Sequence, residues 1–482
     1  RNWLYRRAGD HWYRYGMENG LSSDHLNPMT LDRDGNLWIP TFNDGVMILS
    51  TQPVINYCAF GDGITRAVTS VLEDSHGILY VGTGLGVFAK EGLRWKPFYT
   101  PDSPLNAIFS IMEMPDGSII VAGTREFCRI RDGQVTDLIQ TLGLPGAGYH
   151  SLQYDDRGRI WACTIDSGLV VVNQESWTRL NTENSDLPSD HVYAALRSHK
   201  GSLLFSTYEG HVFEIRDDQP VCLLPDHEPL GVPVMGLAED DEGSLWMATV
   251  GKGLYRLQNG ELQQFTISDG LAGNVCNAVA AKEGHVYVGT NSGLSVFNGK
   301  KWVSLRTGDG LLSNESSAGA LFVGRTGRIL LGTNRGLTVM NSDRLPLQRD
   351  QVPVRIVSAV SGDRDFGGIS GFEIPFRDAG LSVQYAGLEF RNPAALHYRY
   401  RVLPVDREWI ETDSPRVEYR SLDSGDYRFQ VQAGMGDGTW GLTEELAWKV
   451  VPPFWRKPWF VGLALLAFLF AGEFALRGIR KG

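Results

Sequence analysis

Apolar residues along this chain recur in short runs separated by polar turns, and they do not fall at helical spacing until close to the C-terminus. Leu37-Trp38-Ile39, Leu79-Tyr80-Val81, Leu245-Trp246-Met247 and Val286-Tyr287-Val288 are typical. Runs this short, rich in β-branched and aromatic residues and bounded by Gly, Asp and Asn, predict β-strands throughout.

The runs keep a register. A glycine stands before each one, at Gly35, Gly77, Gly117, Gly158, Gly201, Gly243, Gly284 and Gly327, spaced 40 to 43 residues apart. Six residues later, or seven in the third copy, comes a threonine: Thr41, Thr83, Thr124, Thr164, Thr207, Thr249, Thr290 and Thr333. A β-rich repeat of this period is the signature of propeller blades, which bury their faces only by stacking around a ring.

Each repeat reads as four strands. The innermost opens on an apolar residue nine positions before the glycine, at Leu26, Val68, Ile108, Tyr149, Val192, Val234, Val275 and Ala318. It ends in an Asp/Gly turn such as Asp240-Asp241-Glu242-Gly243, where glycine supplies positive φ. The second strand ends in the threonine. The third opens with Gly-Leu or Gly-Val, as at Gly168-Leu169 and Gly253-Leu254, and the fourth carries pairs such as Trp95/Phe98 and Trp302/Leu305. A threonine present in every copy is structural, its hydroxyl bonding nearby backbone. The recurring Trp and Tyr are packing between blades.

The last repeat runs into Asn341-Ser342-Asp343-Arg344-Leu345-Pro346 without a fourth strand, so an earlier segment must close the ring. If Val54 to Tyr57 closes it, repeats two to eight make seven blades, the working expectation. If Trp12 to Tyr15 closes it, there are eight. Residues 1–50 then hold strands of an upstream blade plus the first repeat, and 51–345 the propeller.

From about Val352 to Val451 the alternation changes, as in Leu381-Ser382-Val383-Gln384-Tyr385 and Tyr427-Arg428-Phe429-Gln430-Val431. Short alternating strands over this length predict an Ig-like β-sandwich at 352–451. Beyond it, 459–476 is apolar except for Glu473, with Trp455 and Trp459 at its start and basic residues on both flanks. Eighteen residues suffice for a hydrocarbon core of roughly 30 Å, so one transmembrane helix is expected. The slight excess of positive charge after it places the C-terminus in the cytoplasm. The fold class is thus all-β, a propeller and a sandwich, with one C-terminal span.

At 482 residues the chain has room for more than one domain. Its net charge of −11 and lack of a basic stripe argue against a nucleic-acid partner. Five cysteines, an odd number without a C-x-x-C pair, exclude a complete disulfide framework. With no initiating Met, the N-terminus is expected to be cut from a longer polypeptide. Gly82-Thr83-Gly84-Leu85-Gly86 mimics a nucleotide loop, but no helix follows it. Asp32-Arg33-Asp34-Gly35-Asn36 mimics a calcium loop but lacks the downstream Glu. Asp226-His227-Glu228 reads as a solvated loop. No metal or cofactor is expected.

The repeat form Gly243-Ser244-Leu245-Trp246-Met247-Ala248-Thr249 with Gly253-Leu254 resembles that of bacterial regulator-propeller sensor ectodomains. So do Tyr398-Arg399-Tyr400, Trp409, Tyr419, Gly425-Asp426-Tyr427-Arg428-Phe429 and Asp437-Gly438-Thr439-Trp440, which are similar to a triple-tyrosine sandwich domain. Pro452-Pro453-Phe454-Trp455-Arg456 resembles the stretch by which such receptors enter the membrane. The resemblance implies a non-catalytic periplasmic sensor in the inner membrane. Its output module, absent from this chain, would be a histidine kinase or a diguanylate cyclase. The competing class is a propeller lyase or glycosidase, with Glu126, Asp166, Glu209, Asp190 and His191 as candidate groups, although no spacing singles out a pair. Arg125-Glu126-Phe127 lacks the usual glycine, so a blade-edge irregularity is expected there.

The loops entering the inner strands share one face of the ring with the turns after the threonines, and loop positions are where function can vary. That face predicts a ligand site drawn from Arg66, Arg125, Glu126, Tyr149, His150, Asp166, His191, Tyr208, Glu209, Lys252, Asn291, Asn334 and Arg335. Rings for stacking and polar groups for hydroxyls suit a small-molecule or oligosaccharide ligand. A homodimer is expected to carry the signal through the sandwiches and the spans.

Overall fold

The computed structural model describes residues 4–8, 11–15, 23, 25–32, 37–49, 54–60, 67–92, 94–101, 106–345, 351–389, 396–435 and 439–479. Arg66, Gly35, Asp437 and Gly438 lie outside this set. The chain divides into two compact units, Arg1–Leu347 and Gln348–Gly482.

Among the described residues of the first unit, repeats two to eight build seven four-stranded sheets, here blades one to seven. Blade one consists of Ser70–Glu73, Leu79–Thr83, Gly86–Glu91 and Arg94–Tyr99. Blade seven takes Ser316–Val323, Arg328–Thr333 and Gly336–Asn341 from the last repeat, and its outer strand is Val54–Tyr57. Thr338 Oγ1 donates to Asn56 Oδ1 at 2.8 Å across this seam, and Asn56 Nδ2 donates to the Gly310 carbonyl at 2.9 Å. The segment Trp12–Tyr15, the other candidate for closure, instead pairs with Leu4–Ala8 in a hairpin. The first repeat forms a separate three-stranded sheet, Thr30–Leu31, Leu37–Pro40 and Val46–Leu49. The strand that should complete it is the one pairing with the last repeat.

The repeated residues explain the blade. Thr83, Thr164, Thr249, Thr290 and Thr333 are fully buried, and each hydroxyl donates to the carbonyl of the glycine that opens the third strand, at 2.6–3.1 Å. In these five blades no side chain fits in the place of that glycine. Gly168 has φ +72°, and a Cβ there would lie 2.1 Å from the Leu180 carbonyl, so any side chain would push the fourth strand away. In blade two Gly123 occupies the threonine's position and Glu126 the glycine's, because pairing runs Ala122↔Phe127. Thr124, one residue beyond, is outside the column.

A second device recurs at the other end of blades one, three and five. The Asp that opens the first turn accepts from an aromatic six residues on, Trp161 Nε1 to Asp155 at 3.1 Å, Trp246 Nε1 to Asp240 at 2.7 Å, and Tyr80 to Asp74 at 3.2 Å. The indoles themselves fill the interfaces between blades. Trp161 packs with Phe205 and Phe213 between blades three and four, and Trp246 with Val286 and Trp302 between five and six.

In the second unit, Arg364–Asp365, Val354–Ser361, Leu381–Gly387 and Arg416–Tyr419 form one sheet in that order. Phe372–Pro375, Glu444–Val451, Gly425–Gly434, His397–Leu403 and Ile410–Thr412 form the other. A single core of alternating inward residues, including Tyr385, Tyr398, Phe429 and Trp448, joins the two. Tyr427 donates to the Asp423 carbonyl at 2.8 Å, the corner bond common in such sandwiches. A 22-residue helix, Pro458–Ile479, follows the turn Phe454–Arg456. Among the described residues, no helix is long and apolar enough to cross a membrane.

Candidate functional site

The axis of the ring holds a channel of about 930 Å³, lined by the inner strands of all seven blades. What faces its mouth follows from a shared irregularity. Inner strands two to six begin with a buried anchor opposite the end of the second strand, namely Ile108, Tyr149, Val192, Val234 and Cys276, and the register shifts immediately afterwards. Blade seven does the same from Ser316. Blades six and seven therefore anchor on Cys276 and Ser316 rather than on Val275 and Ala318. A bulge removes the next residue from strand alternation and re-aims its side chain. The residues so released at the channel include Phe109, His150, Tyr193, Met235 and Ser317.

Three consecutive blades thereby place rings along one arc of the mouth. Phe109 and His150 have centroids 5.1 Å apart, and His150 stacks on Tyr193 at 4.3 Å and 25°. Just outside them His191 packs against Tyr208 at 5.2 Å, with Tyr208 half exposed. The opposite arc carries Met235, Ser317 and Thr69. Burial, and then the neighbouring His191, push the His150 imidazole down to about 4, so it is neutral at neutral pH. Burial, with Tyr208 adding to it, raises the Tyr193 phenol. The arc is thus uncharged, with flat faces and hydrogen-bonding edges.

The residues anticipated from sequence sort into three groups. His150, His191 and Tyr208 belong to this arc and its rim. Arg125, Asp166, Glu209, Lys252, Asn291, Asn334 and Arg335 are exposed on the loops of the same face, where Lys252 Nζ donates to the Leu230 carbonyl at 2.8 Å and Asn334 Nδ2 to Glu315 at 2.7 Å. Tyr149 and Glu126 are occupied elsewhere. Tyr149 is fully buried, packs on Phe127 at 4.8 Å and donates to the Pro145 carbonyl at 2.6 Å, which leaves it no surface for a ligand. Glu126 accepts from Tyr99 and from Asn106 Nδ2 at 2.7 Å and ties blade two to its neighbour. Phe109 and Tyr193 were missed. Strand alternation puts them in the blade interfaces, and the signal that finds them is their place directly after the buried anchor.

Among the described residues, no group of three or more His, Cys, Asp or Glu side chains could hold a metal ion. All five cysteines are free.

Residues 389–451 match the family model of the Y_Y_Y domain. A histidine kinase of Formosa agariphila is 22% identical over 377 residues, covering 70% of this chain and 27% of the kinase. The chain therefore spans about a quarter of that relative's length. The extracellular domain of a hybrid two component system of B. thetaiotaomicron superposes with a TM-score of 0.78 at 19% identity, over 92% of this chain and 64% of that one. A virginiamycin B lyase of Staphylococcus aureus shares the propeller fold at 12% identity and TM-score 0.50, over 60% of this chain and 98% of the lyase. The fold, a propeller followed by a sandwich, is shared with the extracellular domain of that two component system over 92% of this chain.

Proposed function

We propose that this chain is the ligand-sensing region of a membrane-bound signalling receptor of the histidine kinase type, with a diguanylate cyclase as the alternative output. In this reading the β units lie in the periplasm, and the helix Pro458–Ile479 spans the inner membrane with its C-terminal end in the cytoplasm. The receptor works as a homodimer and has no nucleic-acid partner. The kinase and two-component relatives support the reading. The lyase likeness is one of fold, and among the described residues of the mouth no constellation singles out a catalytic pair.

The observation that carries the sensing role is the arc Phe109, His150 and Tyr193. Stacked rings with polar edges suit a neutral ligand that has flat faces and hydroxyls, such as an oligosaccharide. Titrating the full chain in detergent with a panel of oligosaccharides by calorimetry tests this. A glycan that binds should lose at least about tenfold in affinity with His150→Ala/Tyr193→Ala, by the usual cost of removing stacked anchors, while far-ultraviolet circular dichroism is unchanged. Equal affinity in the folded double variant would remove the arc from the site. Reproducible turnover of a glycan would move the protein to the enzyme class.

A further inference from the structure

The outward face of the five-stranded sheet in the second unit carries two ordered cross-strand rows. One row runs Arg401, Gln430, Glu445 and the other Glu411, Arg399, Gln432, as the strand registers require, with Trp409 beside Arg401 and Thr443 beside Gln432 at their ends. Arg399 lies over both Trp409 and Trp440, with centroids 4.9 and 4.7 Å away, and Arg401 lies over Trp409 at 4.6 Å. Each guanidinium spends its Nε on a glutamine, Arg399 on Gln432 at 2.6 Å and Arg401 on Gln430 at 2.7 Å. The glutamines are held in turn by Thr443 at 2.9 Å and Glu445 at 2.5 Å.

Stacking and the Nε bonds leave the Nη edges of both guanidiniums directed along a fixed plane. Among the described residues, neither arginine has a carboxylate within ion-pair distance. A planar fork immobilised between indoles loses little further freedom on binding a carboxylate, and it matches one bidentately. Glu411, exposed on the edge strand and opposite Arg399 in register, has no hydrogen-bonding or ionic partner among the described residues. One face therefore presents both an unpaired carboxylate and preorganised guanidiniums, side by side. That combination is self-complementary, the condition for a two-fold contact between identical surfaces.

We propose that this face is where two copies of the chain meet, with Glu411 of each copy received by Arg399 and Arg401 of the other. This rests on the dimeric receptor proposed above and assigns its contact. An anionic lipid surface fits less well. The Arg399 row meets the final strand at its start, near Thr443, and that strand runs on to Val451 before the helix begins. Some eight residues of extended chain separate the two, roughly 25 Å.

Reciprocal charge exchange in the full chain, reconstituted in nanodiscs or detergent and followed by sedimentation, decides the matter. Glu411→Arg and the double variant Arg399→Glu/Arg401→Glu should each weaken dimerisation at least about tenfold, as loss of a buried charge partner does. Combining all three changes should restore it. Because the second variant removes stacking, circular dichroism checks that each protein is folded, and the milder Glu411→Gln should weaken the dimer while leaving the ladder intact. A dimer unaffected by Glu411→Arg and Glu411→Gln would overturn the face and leave the dimeric receptor standing. A wild-type chain that stays monomeric at every concentration would overturn both. Loss of binding to anionic vesicles in the arginine variant, with dimerisation unchanged, would assign the face to lipid and refute the proposal.

Discussion

At the scale of single residues, the repeat assigns each conserved-register side chain one bond, and the cost of losing it can be stated. Thr249 is fully buried and donates to the Gly253 carbonyl at 2.6 Å. Thr249→Val keeps the shape and removes one of the two bonds this carbonyl accepts, the other coming from the Thr249 amide at 3.1 Å, so it should cost about 0.5–1.5 kcal/mol, read as a lower urea midpoint at unchanged slope. Titratable groups add two pH windows. His150 has a folded value of about 4, below its ordinary one, so the unfolded chain binds its proton first. Stability from this source is complete above about pH 6.5 and is lost as pH falls toward 4. Asp155 is pushed up by burial but pulled down further by bonds from Trp161 and Arg159, and ends below the usual carboxylate range. Its contribution is therefore present above about pH 4 and lost below that. Urea midpoints measured against pH should show both steps. His150→Phe should flatten the upper and Asp155→Asn the lower, and a variant that leaves its step in place would refute the assignment.

At the scale of elements, periodicity exposed the strands, the repeat boundaries and the two ways the ring could close. It could not choose between them, because Trp12–Tyr15 and Val54–Tyr57 are both short aromatic-aliphatic strands. The choice lies in tertiary pairing, where Asn56 satisfies Thr338 and the Gly310 carbonyl together. The candidate site was half legible for a related reason. Topology gathered the loops of one face, and His150, His191 and Tyr208 lie there at the candidate arc and its rim. The bulges were invisible, since a bulge is a shift in pairing and not a residue type. Reading by loop position therefore took in Tyr149, which the bulge leaves in the core, and passed over Phe109 and Tyr193. The turn aspartates read as turn formers, and their second role, receiving Trp161 and Trp246, emerges only when strand and turn are folded together. The seam yields its own prediction. Asn56→Ala removes two bonds that join segments 282 and 254 positions apart, and should destabilise the first unit by about 1–3 kcal/mol. Limited proteolysis should then release the segment before residue 60 earlier than any blade. If cleavage still begins within a blade, the seam is not the weak point.

At the scale of the whole molecule, the receptor proposed above would have to convert occupancy of the channel mouth into a change at the helix, and only differential affinity for two arrangements can do so. The seven blades, closed on themselves with packed interfaces, offer little internal freedom, so the sandwich and its joint are the elements to test. The final strand ends at Val451, and Pro452-Pro453 connects it to the turn Phe454–Arg456 with restricted backbone angles. The helix base is held on both sides of this joint. Phe454 packs edge-on against Trp455 and Phe460 at 5.1 and 5.2 Å, and the Arg456 guanidinium lies 5.5 Å over Phe376 of the sandwich. A rotation of the sandwich therefore reaches the helix through stiff backbone and packed rings together. In a receptor rejoined to its output module, Pro452→Gly/Pro453→Ser should uncouple output from a glycan found to bind, with autophosphorylation becoming indifferent to it. Affinity measured by calorimetry should stay at the wild-type value, because the mouth of the ring is untouched. Arg456→Ala should produce a partial version of the same loss, since it removes the clamp on Phe376 but keeps the prolines. A full response through the Gly-Ser joint would show that the signal does not travel by rigid coupling.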